Sequence, residues 1–94
     1  MLAITRINTF EAKAGSEEDL YRFLQSVISR VTACPGSISC QLLRSTDSVA
    51  AFAIIEEWDD VESHQKAARA IPPEMMAQAG TLFAKPPSGS YYTT

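Results

Sequence analysis

Seven consecutive apolar residues, Val49 to Ile55, stand in a chain of only 94 residues. Neighbouring side chains of a strand point to opposite faces, so an unbroken apolar run needs cover on both. A chain of this length builds one core, and its helices can cover only one of the two faces. The simplest cover for the other is the same face of a second copy, which predicts a symmetric homodimer with two sheets packed together. The run leads into Glu56-Glu57-Trp58, after which Asp59 and Asp60 open a helix that carries the chain's only histidine, His64.

The rest of the chain builds layers around that strand. Residues 2 to 11 alternate, with Leu2, Ile4, Arg6, Asn8 and Phe10 on one face, as a first strand requires. Arg6 and Asn8 thus stand among apolar neighbours and need partners or a wet pocket. Ser16, followed by Glu17, Glu18 and Asp19, predicts a helix start with Ser16 as N-cap. Leu20, Phe23, Leu24, Val27, Ile28 and Val31 then fall on one stripe of a helix of about 17 residues. Cys34-Pro35-Gly36 stops it. Ser37 to Ser45 alternates again, with Ile38, Cys40 and Leu42 on one face, and the Thr46-Asp47-Ser48 step predicts a hairpin into the strand from Val49.

Val61, His64, Ala67 or Ala68, and Ile71 lie at helical spacing. Pro72-Pro73 ends that helix and starts another, with Met75, Met76, Ala79, Leu82 and Phe83 as its apolar side. Ser90 to Thr94, with Tyr91 and Tyr92, has the content of a short last strand, one tyrosine facing the core and the other the partner. The order is βαββα(α)β, that of a ferredoxin-like α+β fold with a four-stranded antiparallel sheet, in a single domain over residues 1–94.

Composition narrows the function classes. Apolar residues make up 46% of the chain and charged ones 20%, as in a packed domain rather than a disordered chain. A net charge of −3, with the basic residues dispersed, leaves no footprint for nucleic acid or an anionic membrane. No window is long and apolar enough for a membrane span, and no basic leader precedes an apolar stretch, so a cytoplasmic protein is expected. Cys34, Cys40 and one His make no zinc pattern, so no metal is expected. The spacing of the two cysteines permits a disulfide; the commoner reading is two reduced, half-buried thiols. Nucleotide-loop, zinc-hydrolase and serine-hydrolase motifs are missing.

Four strings carry a family resemblance: Pro35-Gly36, Gln41-Leu42-Leu43-Arg44, Ile55-Glu56-Glu57-Trp58-Asp59, and Pro86-Pro87 before the last strand. They are similar to the antibiotic biosynthesis monooxygenase family of dimeric α+β barrel proteins, over nearly the whole chain. The resemblance implies a homodimer and, in one branch, a monooxygenase without a cofactor that acts on phenols or quinols. Trp58 matches the family's strand-end Trp. His64 stands where phenol-oxidising members carry an aromatic hydroxyl, and the Asn and Arg they also use correspond here to Ile54 and Gln78. In the haem-degrading branch Asn8 and Trp58 match its Asn and Trp, while its ligand His falls near Ala68.

A cofactor-free oxygenase removes a proton from an electron-rich phenol or quinol and lets the anion pass an electron to O₂ in a dry pocket. His64 has the side chain suited to be that base near neutral pH. Asn8 would serve as oxyanion donor or anchor and Trp58 as indole donor, giving His64, Asn8 and Trp58 as catalytic candidates. Each has a plainer account. His64 could be a half-exposed helix residue bonded to water or Glu57, Trp58 core packing, and Asn8 a strand residue bonded to a loop or partner. The alternatives are a small-molecule-binding dimer without catalysis and, behind it, a haem-binding or haem-degrading protein.

Overall fold

The computed structural model describes residues 3–94 and has seven elements. They are β1 (Ile4–Glu11), α1 (Glu17–Thr32), β2 (Ser37–Arg44), β3 (Ala51–Trp58), α2 (Val61–Arg69), α3 (Pro73–Leu82) and β4 (Ser88–Tyr92). All strand pairs are antiparallel, in the order β2-β3-β1-β4, the ferredoxin-like α+β arrangement expected. Leu2, placed on the first strand's inner face by alternation, lies outside the described residues.

The apolar run occupies the second position of the sheet and shows its two faces differently. Phe52, Ile54, Glu56 and Trp58 alternate on the buried face, while Ala51, Ala53 and Ile55 on the other stay half-exposed in the protomer. The strand begins two residues later than the run. Ser45 Oγ accepts the Asp47 and Ser48 backbone N–H groups and folds the turn, so Val49 falls in the connection and is 81% exposed. Burying Phe52 and Ile54 against Leu20, Leu24 and Ala12 forms the central cluster. Each of the large side chains contributes about 1.5–3 kcal/mol of transfer free energy before entropy is counted.

Local chemistry explains the other differences. Ser16 makes no side-chain cap, because at ψ 11° its hydroxyl is not presented to the first turn; instead the Glu17 carboxylate reaches back to the Gly15 N–H. A register shift between Ser37 and Ser39 breaks the alternation of β2, leaving Ile38 57% exposed while Cys40 and Leu42 still pack on the core. Phe83 follows α3 instead of continuing it: it bridges to Ala12 in extended conformation and stacks on Phe10 at 5.8 Å. β4 spans 88–92, so Thr93 and Thr94 trail it.

α2 starts where the acidic pair predicts. The Asp60 side chain accepts the Ser63 backbone N–H at 2.8 Å, which holds this carboxyl below its usual range. Gly36 packs beside this start. It lies at φ +88°, its carbonyl accepts the Asp59 N–H at 2.9 Å, and a Cβ there would press on Ser63 and Asp59. Gly36→Ala should therefore cost at least about 1–2 kcal/mol for the left-handed backbone alone, seen as a lower urea midpoint with an unchanged slope.

Candidate functional site

No side chain of α2 is fully buried, and Ala67 and Ala68, with Ala70 at its C-cap, present only short side chains to the cavity beneath it. The space left between α1, α2, α3 and the sheet is a cavity of about 340 Å³, within the lower part of the range for small-molecule sites. Phe10, Phe23, Ile54 and Phe83 give it apolar walls. Arg6, Asn8, Glu56, Trp58 and His64 line it with polar atoms.

The three residues singled out in the sequence meet here. His64, on α2, stands edge-on to the Trp58 ring at 5.6 Å. Its Nδ1 lies 2.6 Å from the Tyr91 hydroxyl, so its partner is Tyr91 and not Glu57, which accepts from Ser39 instead. Burial, with Arg6 as a second cause, holds the His64 pKa below 6.5. The imidazole is therefore neutral at pH 7 and has a lone pair to offer.

Asn8 and Trp58 are joined through a residue the sequence reading did not single out. Glu56, 4% exposed, accepts from Asn8 Nδ2 at 2.7 Å on one oxygen and from Trp58 Nε1 at 2.8 Å on the other. Burial raises its pKa above 4.5, against the pull of the two donors and of Arg6. The Trp58 indole has one N–H, and Glu56 takes it. Alternation along β3 carried the signal: Glu56 sits between Ile54 and Trp58 on the buried face.

Arg6 completes the polar end. Its Nε donates to Asn8 Oδ1 at 2.9 Å, and its guanidinium lies 4.7 Å over the Tyr91 ring. In the β1–β4 register Arg6 faces Tyr91 and Asn8 faces Gly89. A Cβ at Gly89 would collide with both Arg6 and Asn8, so this edge strand is notched where the two side chains lie. No sequence signal links Tyr91 to His64, 27 residues away; the β1–β4 pairing places Tyr91 and the packing of α2 on the sheet brings His64 to it.

The cysteines are free. Cys40 sits opposite Glu56 in the sheet, and burial, then the Glu56 charge, pushes its thiol up to about 12. Cys40 is thus not a nucleophile at neutral pH. Among the described residues no group of acids, cysteines and His could hold a metal ion, and no helix is long and apolar enough to cross a membrane.

A one-sheet domain with helices on one face and a mostly apolar cavity between them has many relatives. The profile of the Antibiotic biosynthesis monooxygenase family matches residues 3–80, and the chain belongs to that family. Among solved structures it is similar to a protein of unknown function from Nitrosomonas europaea, 25% identical, with TM-score 0.82, over 100% of this chain and 90% of that one. It also resembles SnoaB, a cofactor-independent oxygenase from Streptomyces nogalater, at 18% identity and TM-score 0.83, over 100% and 94% of the two chains. A conserved protein from Methanosarcina mazei superposes with TM-score 0.87 at 19% identity, over 98% and 92%. The last two likenesses speak for the fold alone. No curated protein matches the sequence significantly.

Proposed function

We propose that this chain is a cofactor-independent monooxygenase that oxidises a small aromatic phenol or quinol with O₂, working as a homodimer joined through the outer sheet face. The observation that carries the reading is the placement of His64, with Nδ1 2.6 Å from the Tyr91 hydroxyl, at the wall of a largely apolar cavity of about 340 Å³. If Nδ1–H donates to Tyr91, Nε2 is left to take the substrate's hydroxyl proton. The anion passes one electron to O₂, and the two radicals combine to form a carbon–oxygen bond. Breaking the O–O bond leaves one oxygen on the substrate as a carbonyl, while the other departs as water with two substrate hydrogens. Trp58 shapes the slot, and Glu56 holds Trp58 and Asn8 in place. Asn8 keeps a second N–H with which to anchor the substrate. Half-exposed Ala51, Ala53 and Ile55 support the dimer.

The reading is tested by O₂ uptake of the purified, metal-free protein with anthrone-like phenols and reduced quinones. Uptake above background is expected, with one water formed per O₂ consumed. No uptake with any of them would replace this reading by that of a binding protein without turnover. The haem alternative has less support, since Ala68 lines the cavity where that branch's ligand would stand.

A further inference from the structure

The proposed reaction has a proton-transfer problem. An ordinary phenol ionises near pH ~10, and a His held below its usual ~6.5 is weaker than the phenolate by more than roughly 3.5 units, so the ionised substrate would be present at less than about one part in several thousand. Something in the cavity must favour the anion.

Arg6 is placed to do so. It is half-buried in the cavity wall, and among the described residues no hydrogen bond or ion pair engages its terminal nitrogens. Three contacts fix it beforehand: the Nε bond to Asn8, the Tyr91 ring beneath it and the backbone of Gly89 beside it. The other titratable or charged groups around this end are Glu56 on β3, His64 on α2, Tyr91 on β4 and Cys40 on β2, with Arg30 and Cys34 on the α1 side. Glu56 is already shared between Asn8 and Trp58. A guanidinium keeps its charge at any working pH, and unspent donors in a water-poor site act strongly on an oxyanion.

We infer that Arg6 is a catalytic residue that holds the ionised oxygen of the bound phenol, so that the site selects aromatic hydroxyl compounds by the acidity of the hydroxyl. The inference rests on the oxygenase reading but is tested without O₂. Two chromophoric phenols, 4-nitrophenol and 2-naphthol, are titrated against pH under anaerobic conditions, free and bound, with the phenolate band as readout. Bound to the wild type, each should ionise at least one pH unit lower than free in solution. Arg6→Gln should abolish most of that shift and Arg6→Lys should restore part of it; Arg6→Met serves as the neutral variant if Arg6→Gln does not fold. Failure of the probes to bind, no shift in the wild type, or the same shift in the neutral variant would overturn the inference. A shift without O₂ uptake on the anthrone-like substrates leaves Arg6 its role and removes the oxygenase reading. Uptake without a shift does the reverse.

Discussion

His64→Ala is expected to lower O₂ uptake by about 10²–10⁴-fold, the usual contribution of a positioned general base, with the fold retained. The fold should survive because His64 lies on a helix without fully buried side chains and gives up one hydrogen bond, to Tyr91. The pH dependence separates a base from a packing residue. A base works neutral, and burial holds the His64 pKa below 6.5, so wild-type uptake should rise with pH and level off already below neutrality. The alanine variant should lose that acid limb. Uptake unchanged by the substitution would remove His64 from the mechanism while leaving the activity in place. In stability the sign is fixed by the same depressed value. The unfolded chain protonates this imidazole near 6.5 and the folded chain resists, so the wild type loses stability as pH falls below about 6.5, and His64→Ala should lose less.

The second large effect falls on stability. Glu56→Leu keeps a side chain of similar length but leaves the Asn8 amide and the Trp58 indole N–H without an acceptor in a buried place. A buried donor left unsatisfied costs about 1–3 kcal/mol, so two together should remove on the order of 2–6 kcal/mol, a large fraction of a small domain's stability. Urea unfolding at pH 7 reads this directly. An effect under about 1 kcal/mol would mean that water replaces Glu56 at both donors. Glu56→Gln isolates the charge. The folded carboxyl has a raised pKa, so its favourable contribution is complete below about 4.5 and is lost as pH rises through the higher folded value. The wild type should therefore show a fall in stability above pH 4.5 that Glu56→Gln lacks, opposite in direction to the His64 effect. Comparing the two variants across pH 4 to 7 resolves the two contributions.

The fold was legible because periodicity carries it. The Leu20 to Val31 stripe, the alternation of β1 and β3 and the Asp60 cap each fix an element from local sequence, and Pro72-Pro73 marks the break between α2 and α3. Errors fell where a side chain or a bulge overrode periodicity, at Ser16, at Ile38 and at Val49 behind the Ser45 turn. The site was only half legible. His64, Asn8 and Trp58 could be singled out by residue type, and the mixed face of β1 already marked Arg6 and Asn8 as needing partners. Glu56 was masked by its place beside a second acid, Glu57, although only one of the pair faces inward. Tyr91 carries no local sign, since its position against Arg6 follows from β1–β4 pairing across the whole chain and its contact with His64 from the packing of α2 on the sheet.

The notch at Gly89 reverses the usual relation between exposure and tolerance. Gly89 is solvent-exposed on an edge strand and is not among the residues that line the cavity, so a surface-based library design would randomise it freely. Yet any side chain there displaces Arg6 and Asn8 together. A substitution at 89 is therefore expected to reach the cavity through these two side chains. Changes at 89 should alter the pocket from behind, through residues that are themselves left unchanged.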